Sequence, residues 1–371
     1  MNPCLIRSRA LRAALVLLMF GLTACGQTHP PESVMMNNPL LADPRPWCIG
    51  RLVIERPARS ELSFEEYEYW GDKIEVTHNV SAGTFRYKVE TREKELRTRT
   101  RTTSIPYREM LEKGLTSMIV KTDVPWLEQA VSPTQFSRLL IYKELGEPPE
   151  MSFRTEGYIL AGTTMLTMKA AVGYDGVQKF IELTNDVYQN ITQRDNWTVP
   201  TERGFCIDGA LIGGPSHNSE GATQFIVLEA GQASWFMVKM RDAVNADLQS
   251  SLLRSLPNLR RELHTQGYNG SVRVLRKGKR QVAGMDAEEV LFSVKEGDIQ
   301  LFRFYLLAPG NPDSTAQPHT EIELSLGEVL TDADKRAGMK PEELSSLLDE
   351  AGAIQAWDTL LNSMRLRPGA M

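Results

Sequence analysis

Two stretches of this chain are near copies of one another: "WCIGRLVI" at 47–54 and "FCIDGALI" at 205–212. Each sets an aromatic residue before a cysteine and continues with aliphatic and β-branched residues, the composition of a strand. In extended chain Cys48, Gly50, Leu52 and Ile54 share one face, and Cys206, Asp208, Ala210 and Ile212 share the matching one. Both faces of each copy are apolar enough to be buried, so each copy predicts an inner strand. A chain that repeats itself this way is constrained to fold as two related units.

The elements downstream of each copy keep the same order. In the first half, "LSFEEYEYW" (62–70) and "KIEVT" (73–77) read as strands joined by a turn at 71–72. Residues 82–100 predict a surface helix capped by Ser81, with Phe85, Val89 and Leu96 as a narrow apolar stripe. Strand-like runs come next at "MIVKT", "SRLLIYKEL" and "SFRTEGYILAGTTMLTMKAAV". A closing helix over "DGVQKFIELTNDVYQNITQR" carries Val177, Phe180, Ile181, Val187 and Ile191. In the second half "TQFIVLE" and "SWFMVKMR" flank a turn at Gly231, and a helical stretch over 248–266 is interrupted at Pro257. A run of strands covers 271–309. The end, from Pro341, predicts one long helix with Leu344, Leu347, Leu348, Ala351, Ile354, Trp357, Leu360, Leu361 and Met364 on its apolar stripe. The fold class is therefore α+β: two related domains, 47–198 and 199–371, each an antiparallel-rich sheet with two helices.

The start of the chain has a different character. Arg7, Arg9 and Arg12 precede a short apolar run, "AALVLLMF", and then "LTAC" ending at Cys25. That order resembles a bacterial lipoprotein signal, with residues 1–24 removed and Cys25 lipidated. Several acyl chains anchor a protein stably, since each buried CH₂ contributes about 0.8 kcal/mol. Gly26 after the cysteine implies the outer membrane, with the body in the oxidising periplasm. Residues 25–46, rich in proline and asparagine, read as the lipidated cysteine and a flexible tether.

Reactive chemistry is hard to find. The formal net charge of −5 and the lack of a long basic run argue against nucleic acid. No nucleophile elbow, phosphate loop, dinucleotide fingerprint or metal-binding spacing occurs, so no cofactor and no metal are expected. Ser216 beside His217 reads as a polar loop, and Asp286, Glu288 and Glu289 as a solvated strand edge, with Glu288 and Glu289 on opposite faces. The mixed charges of 91–103 read as a solvated helix face that could also steer an acidic partner. Cys48 and Cys206 have two readings. If the two equivalent strands meet near a pseudo-twofold axis they form a disulfide; if each lies inside its own sheet they are small buried thiols.

"CIGRLVIERP", "FRTEGYIL" (153–160), "TERGFCIDGALI" (201–212) and "VAGMDAEEVLF" (282–292) together resemble the immunity proteins of type VI secretion lipase effectors. The resemblance covers the body from about residue 47 to the 330s and implies two related α+β domains and no catalysis. It implies as partner a cognate phospholipase effector, bound and inhibited in the periplasm by occlusion of its active site. Contacts are expected in irregular loops: Trp126 in "DVPWLEQ", His217 and Asn218 in "GGPSHNSEG", and Asn311 and Asp313 in "APGNPDSTAQPH". The alternatives are a periplasmic lipoprotein that binds a small ligand or scaffolds an envelope complex, and an enzyme whose site is assembled from distant residues.

Overall fold

In the computed structural model, residues 38–104, 111–114, 121–144, 153–245, 250–265, 268 and 270–371 are described. Strands β1 (Pro44–Ile49) and β2 (Leu52–Pro57) form the first hairpin, turning at Gly50 with φ +55°. Then come β3 (Glu61–Tyr69), β4 (Asp72–Thr77), helix α1 (Ala82–Thr98), β5 (Thr100–Ser104), β6 (Lys121–Pro125), β7 (Leu127–Val131), β8 (Ser137–Tyr142), β9 (Phe153–Ala161) and β10 (Thr164–Val172). Helix α2 (Val177–Gln189) and the short β11 (Ile191–Gln193) close this half. Ser81 caps α1 by accepting from the Thr84 N–H, and Phe85, Val89 and Leu96 are its buried stripe, as the sequence predicts.

The second half repeats the plan with β12 (Gly204–Ile207), β13 (Ala210–Gly213), β14 (Glu220–Val227), β15 (Ser234–Arg241), helix α3 (Leu256–Thr265), β16 (Ser271–Val282), β17 (Met285–Glu296), β18 (Ile299–Ala308) and β19 (His319–Leu326). It ends in helices α4 (Asp332–Ala337), α5 (Pro341–Leu344) and α6 (Glu350–Ser363), then β20 (Arg365–Leu366). Four details of the helices depart from expectation. This half holds four helices where the sequence predicts two. Pro257 sits in the first turn of α3, where its missing N–H costs nothing, so it starts that helix rather than interrupting it. The expected terminal helix is broken: Asp349 accepts from the Gly352 N–H and caps a new helix, leaving Leu347 half exposed. Ile191 belongs to β11, not to α2.

Twelve of the strands make one antiparallel sheet in the order β16-β17-β18-β19-β15-β14-β3-β4-β10-β9-β8-β7. Its two central neighbours, β14 and β3, come from different halves and pair from Glu220↔Tyr69 to Val227↔Glu61, with a bulge between Phe225 and Ile226. Outward from that seam the order is the same in both directions: β3, β4, β10, β9, β8, β7 on one side and β14, β15, β19, β18, β17, β16 on the other. The two α+β domains are thus halves of a continuous sheet related by a pseudo-twofold at its middle.

The duplicated motif sits over that seam. β1, β2 and β20 form one small sheet, and β12, β13 and β11 form its counterpart. Gly50 and Cys206 exchange backbone hydrogen bonds of 3.1 and 2.8 Å, so the two copies pair with each other. Cys48 and Cys206 are joined by a disulfide, with Cα atoms 5.9 Å apart, and both are buried. Matching backbone bonds hold the turns: the main-chain N–H of Arg194 donates to the Gly209 carbonyl and that of Arg367 to the Arg51 carbonyl. The first described residues already belong to this packing. Leu40 is in the core and the Asn38 amide donates to the Gly352 carbonyl at 2.9 Å, so 38–46 is not tether. Apolar Leu40 and Leu41 supply the burial that the proline-rich composition conceals.

The sheet has two unlike faces. One buries the main core, including Tyr67, Ile74, Leu166, Phe236, Phe304 and Trp357. The other is covered only in part among the described residues. At one end α1 packs Phe85, Val89 and Leu96 with Leu140, Tyr142 and Tyr158. At the other, Leu256, Leu259 and Leu263 of α3 join a cluster with Phe292, Leu301 and Tyr305.

Candidate partner-binding surface

Between α1 and α3 the outer face of β3, β4, β14 and β15 stands open among the described residues. Alternation decides what it displays. Ala222, Gln224 and Ile226 of β14 and Phe236, Val238 and Met240 of β15 point inward and are buried. Thr223, Phe225 and Val227, with Trp235, Met237 and Lys239, therefore point outward and keep part of their surface in water. Phe64 pairs with Phe225 across the seam and is 49% exposed. Phe64 and Phe225 meet edge to face at 5.6 Å between centroids, and Phe225 meets Trp235 at 5.6 Å. Exposed ion pairs flank this strip: Lys73–Glu66 at 3.2 Å, Lys169–Glu75 at 2.7 Å and Lys239–Glu321 at 3.4 Å. An apolar aromatic centre with a charged rim is the anatomy of a protein-binding face. Loop composition does not reveal this strip. Its signal is that "TQFIVLE" and "SWFMVKMR" are apolar at both alternations although one face lies open.

The loops singled out by sequence lie elsewhere. His217, Asn218 and Asn311 come together at a pocket of about 190 Å³, beside Phe205 and Met240 at the inner end of β14 and β15. Ser216 Oγ and Thr315 Oγ1, 2.7 Å apart, tie the two loops to each other. The pocket floor is an ion pair: Arg51 donates to Glu220 at 2.7 and 2.6 Å and to the Pro215 carbonyl at 2.8 Å. The His217 backbone N–H donates to Glu220 at 3.0 Å, and its ring stands edge-on to Trp70 and Tyr69 at 4.8 and 5.7 Å. Burial holds the His217 imidazole below its ordinary pKa. Ser216 bonds a threonine and His217 abuts aromatic rings, so the pair is not arranged as nucleophile and base. The pocket is smaller than the roughly 300–1,000 Å³ of small-molecule sites, and its carboxylate is already committed to Arg51.

The other candidates separate from this pocket. Asp313 sits on the exposed tip, its N–H bonded to Asn311 Oδ1 at 3.0 Å. Trp126 links β6 and β7 in the first half, its indole donating to the Thr100 carbonyl at 3.1 Å under the Arg99 guanidinium at 5.0 Å. Cys25 lies outside the described residues. The charges of 91–103 are largely spent internally: Arg92 pairs with Glu156 and Glu95, Arg97 with Glu93 and Arg101 with Glu128. Glu289 is not on a solvated edge. It is buried and accepts from Trp357 at 2.9 Å and Arg280 at 3.0 Å, because strand alternation turns it toward α6.

Comparison with known families agrees with this two-half plan. Residues 45–194 match the N-terminal domain of Tle cognate immunity protein 4, and residues 198–369 match the C-terminal domain of that protein. The chain belongs to the Tle cognate immunity protein 4 family. Among solved structures, a Tle4–Tli4 complex is similar with a TM-score of 0.69 and 22% identity, over 88% of this chain and 98% of that one. The apo immunity protein TplEi of the type VI secretion system of Pseudomonas aeruginosa is similar with a TM-score of 0.68 and 20% identity, again over 88% and 98%. The same protein bound to an "L" peptide gives 0.66 and 20%, over 88% and 99%. At these identities the likeness carries the Tle cognate immunity protein fold. No curated protein matches the sequence.

Proposed function

We propose that this chain is an immunity protein that binds and inhibits a cognate type VI secretion phospholipase in the periplasm, occluding its active site. The observation that carries this reading is the aromatic strip of Phe64, Phe225 and Trp235, left open between α1 and α3 at the seam of the two halves. Membership of the immunity family supplies the class of partner. A stable inhibitor interface buries about 1,600 Å² and concentrates its energy in a few aromatic anchors. Four adjacent strands with helices on either side offer such a platform. The inhibitor acts by binding and not by catalysis. His217, Asn218 and Asn311 form a second contact region at the end of the sheet.

Cys25 is the lipidated residue in this reading, and it holds the body on the periplasmic side of the outer membrane, where an enzyme directed at phospholipid must be met. The test is co-purification of the full chain with the phospholipase effector of the same cell, with phospholipase activity measured as the chain is added. The expected result is a stable complex and stoichiometric loss of activity. Undiminished activity without a complex overturns the proposal.

A further inference from the structure

Beneath the seam, on the sheet face opposite the aromatic strip, three groups converge that the inhibitor reading does not use. Glu65 comes from β3, His78 from the turn after β4, and Asp208 from the turn between β12 and β13. His78 Nε2 lies 3.3 Å from Glu65 Oε1 and 3.2 Å from Asp208 Oδ2. All three donor atoms fall within 4.8 Å of one another. We propose that Glu65, His78 and Asp208 form a Zn²⁺ site that joins the two halves of the molecule.

Four observations support it. The donor set, one imidazole nitrogen and two carboxylate oxygens, is one that Zn²⁺ takes. Zinc–ligand bonds of about 2.0–2.1 Å in a tetrahedron place the ligand atoms roughly 3.3–3.4 Å apart, close to both distances from His78. Each carboxylate's other oxygen is already held: Glu65 Oε2 accepts from the Tyr67 hydroxyl at 2.7 Å, and Asp208 Oδ1 accepts from the Asn196 amide. Tyr67 is fixed in turn by Gln224 at 2.6 Å and by the Asp208 N–H at 3.1 Å. Outer partners of this kind orient metal ligands and account for about 10–100-fold in affinity. Finally, a cleft of about 530 Å³ opens beside His78, lined in part by Thr163, Asn196 and Trp197, and leaves a route for an ion and a fourth ligand. Two carboxylates that face each other across one imidazole are also an arrangement of charge that a divalent cation stabilises.

Because Glu65 and His78 belong to one half and Asp208 to the other, metal binding adds a further tie across the seam, two residues beyond the disulfide's Cys206. The test uses the untagged full-length protein in detergent, stripped with a chelator and titrated with Zn²⁺ and with Co²⁺. The expected result is one equivalent bound, the visible absorption of tetrahedral Co²⁺, and a Zn²⁺-dependent rise in Tm that Mg²⁺ does not reproduce. His78→Ala abolishes the uptake, and Asn196→Ala weakens it by about 10–100-fold while keeping the stoichiometry. His78 is partly exposed, and circular dichroism reports whether each variant is folded. No binding by the wild type overturns the proposal, and so does unchanged binding by a folded His78→Ala protein. Neither outcome bears on the phospholipase reading, whose strip lies on the other face.

Discussion

Arg51 and Glu220 show how much of this molecule is decided at single residues. Their side chains are 5% and 9% exposed and paired at 2.6 Å, one from each half. Arg51→Ala leaves a buried carboxylate without its cation and should lower stability by about 3–5 kcal/mol, read by denaturant unfolding. Glu323 makes a pH prediction. Burial, with Glu262 nearby, raises its pKa from the ordinary 4.5 to about 7, against the opposing pull of Arg303 and Tyr305. The folded protein therefore holds that proton more tightly than the unfolded chain. Its stabilising contribution is full below the ordinary carboxylate value and is lost as pH rises toward and through 7. Glu323→Gln should flatten the fall in Tm between pH 5 and pH 8 relative to the wild type. Little of this is legible in the sequence, since neither the partner of Arg51 nor the burial of Glu323 leaves a local pattern. His217, Asn218 and Asn311 stand out by loop composition alone, and their convergence depends on two hairpin ends folding onto one spot.

At the scale of elements the sequence is more informative. The hairpin of β3 and β4 and the cap and stripe of α1 derive from period and turn chemistry. Each cysteine copy does not fold as the single inner strand that its composition predicts: positive φ at Gly50 and Gly209 turns the copies into the hairpins β1–β2 and β12–β13. Where the pattern misleads, a short local signal is outweighed by a longer one. The apolar stripe runs on through 341–364 because leucines continue across the Asp349 cap, while the break is set by one side chain accepting from the Gly352 N–H at 2.7 Å. Leu40 is hidden among prolines because burial of one residue gives no periodicity. The disulfide makes the prediction at this scale. It closes a separation of 158 residues, for which chain entropy suggests about 5 kcal/mol, with about 2–5 kcal/mol typical on removal. The Cys48→Ala/Cys206→Ala double variant should fold with a Tm lower by several degrees. An unchanged Tm would mean that Arg194, Arg367 and the exchanged Gly50–Cys206 hydrogen bonds suffice to hold the seam.

For the whole molecule, duplication is legible but its consequence is not. Two domains with separate sheets and one sheet running through both share the same local sequence, because the pairing of β3 with β14 joins segments more than a hundred residues apart. That pairing creates the centre that stands open between α1 and α3 among the described residues. It also explains why apolar outward positions on β14 and β15 stay only half-buried among the described residues. Whether this face seats the phospholipase is decided by the affinity of the purified effector for wild-type protein and for Phe64→Ala and Trp235→Ala. Each substitution should weaken binding by about 30-fold, or about 2 kcal/mol, while Tm stays near that of the wild type. Wild-type affinity in both folded variants would refute this seat and move the interface away from the sheet.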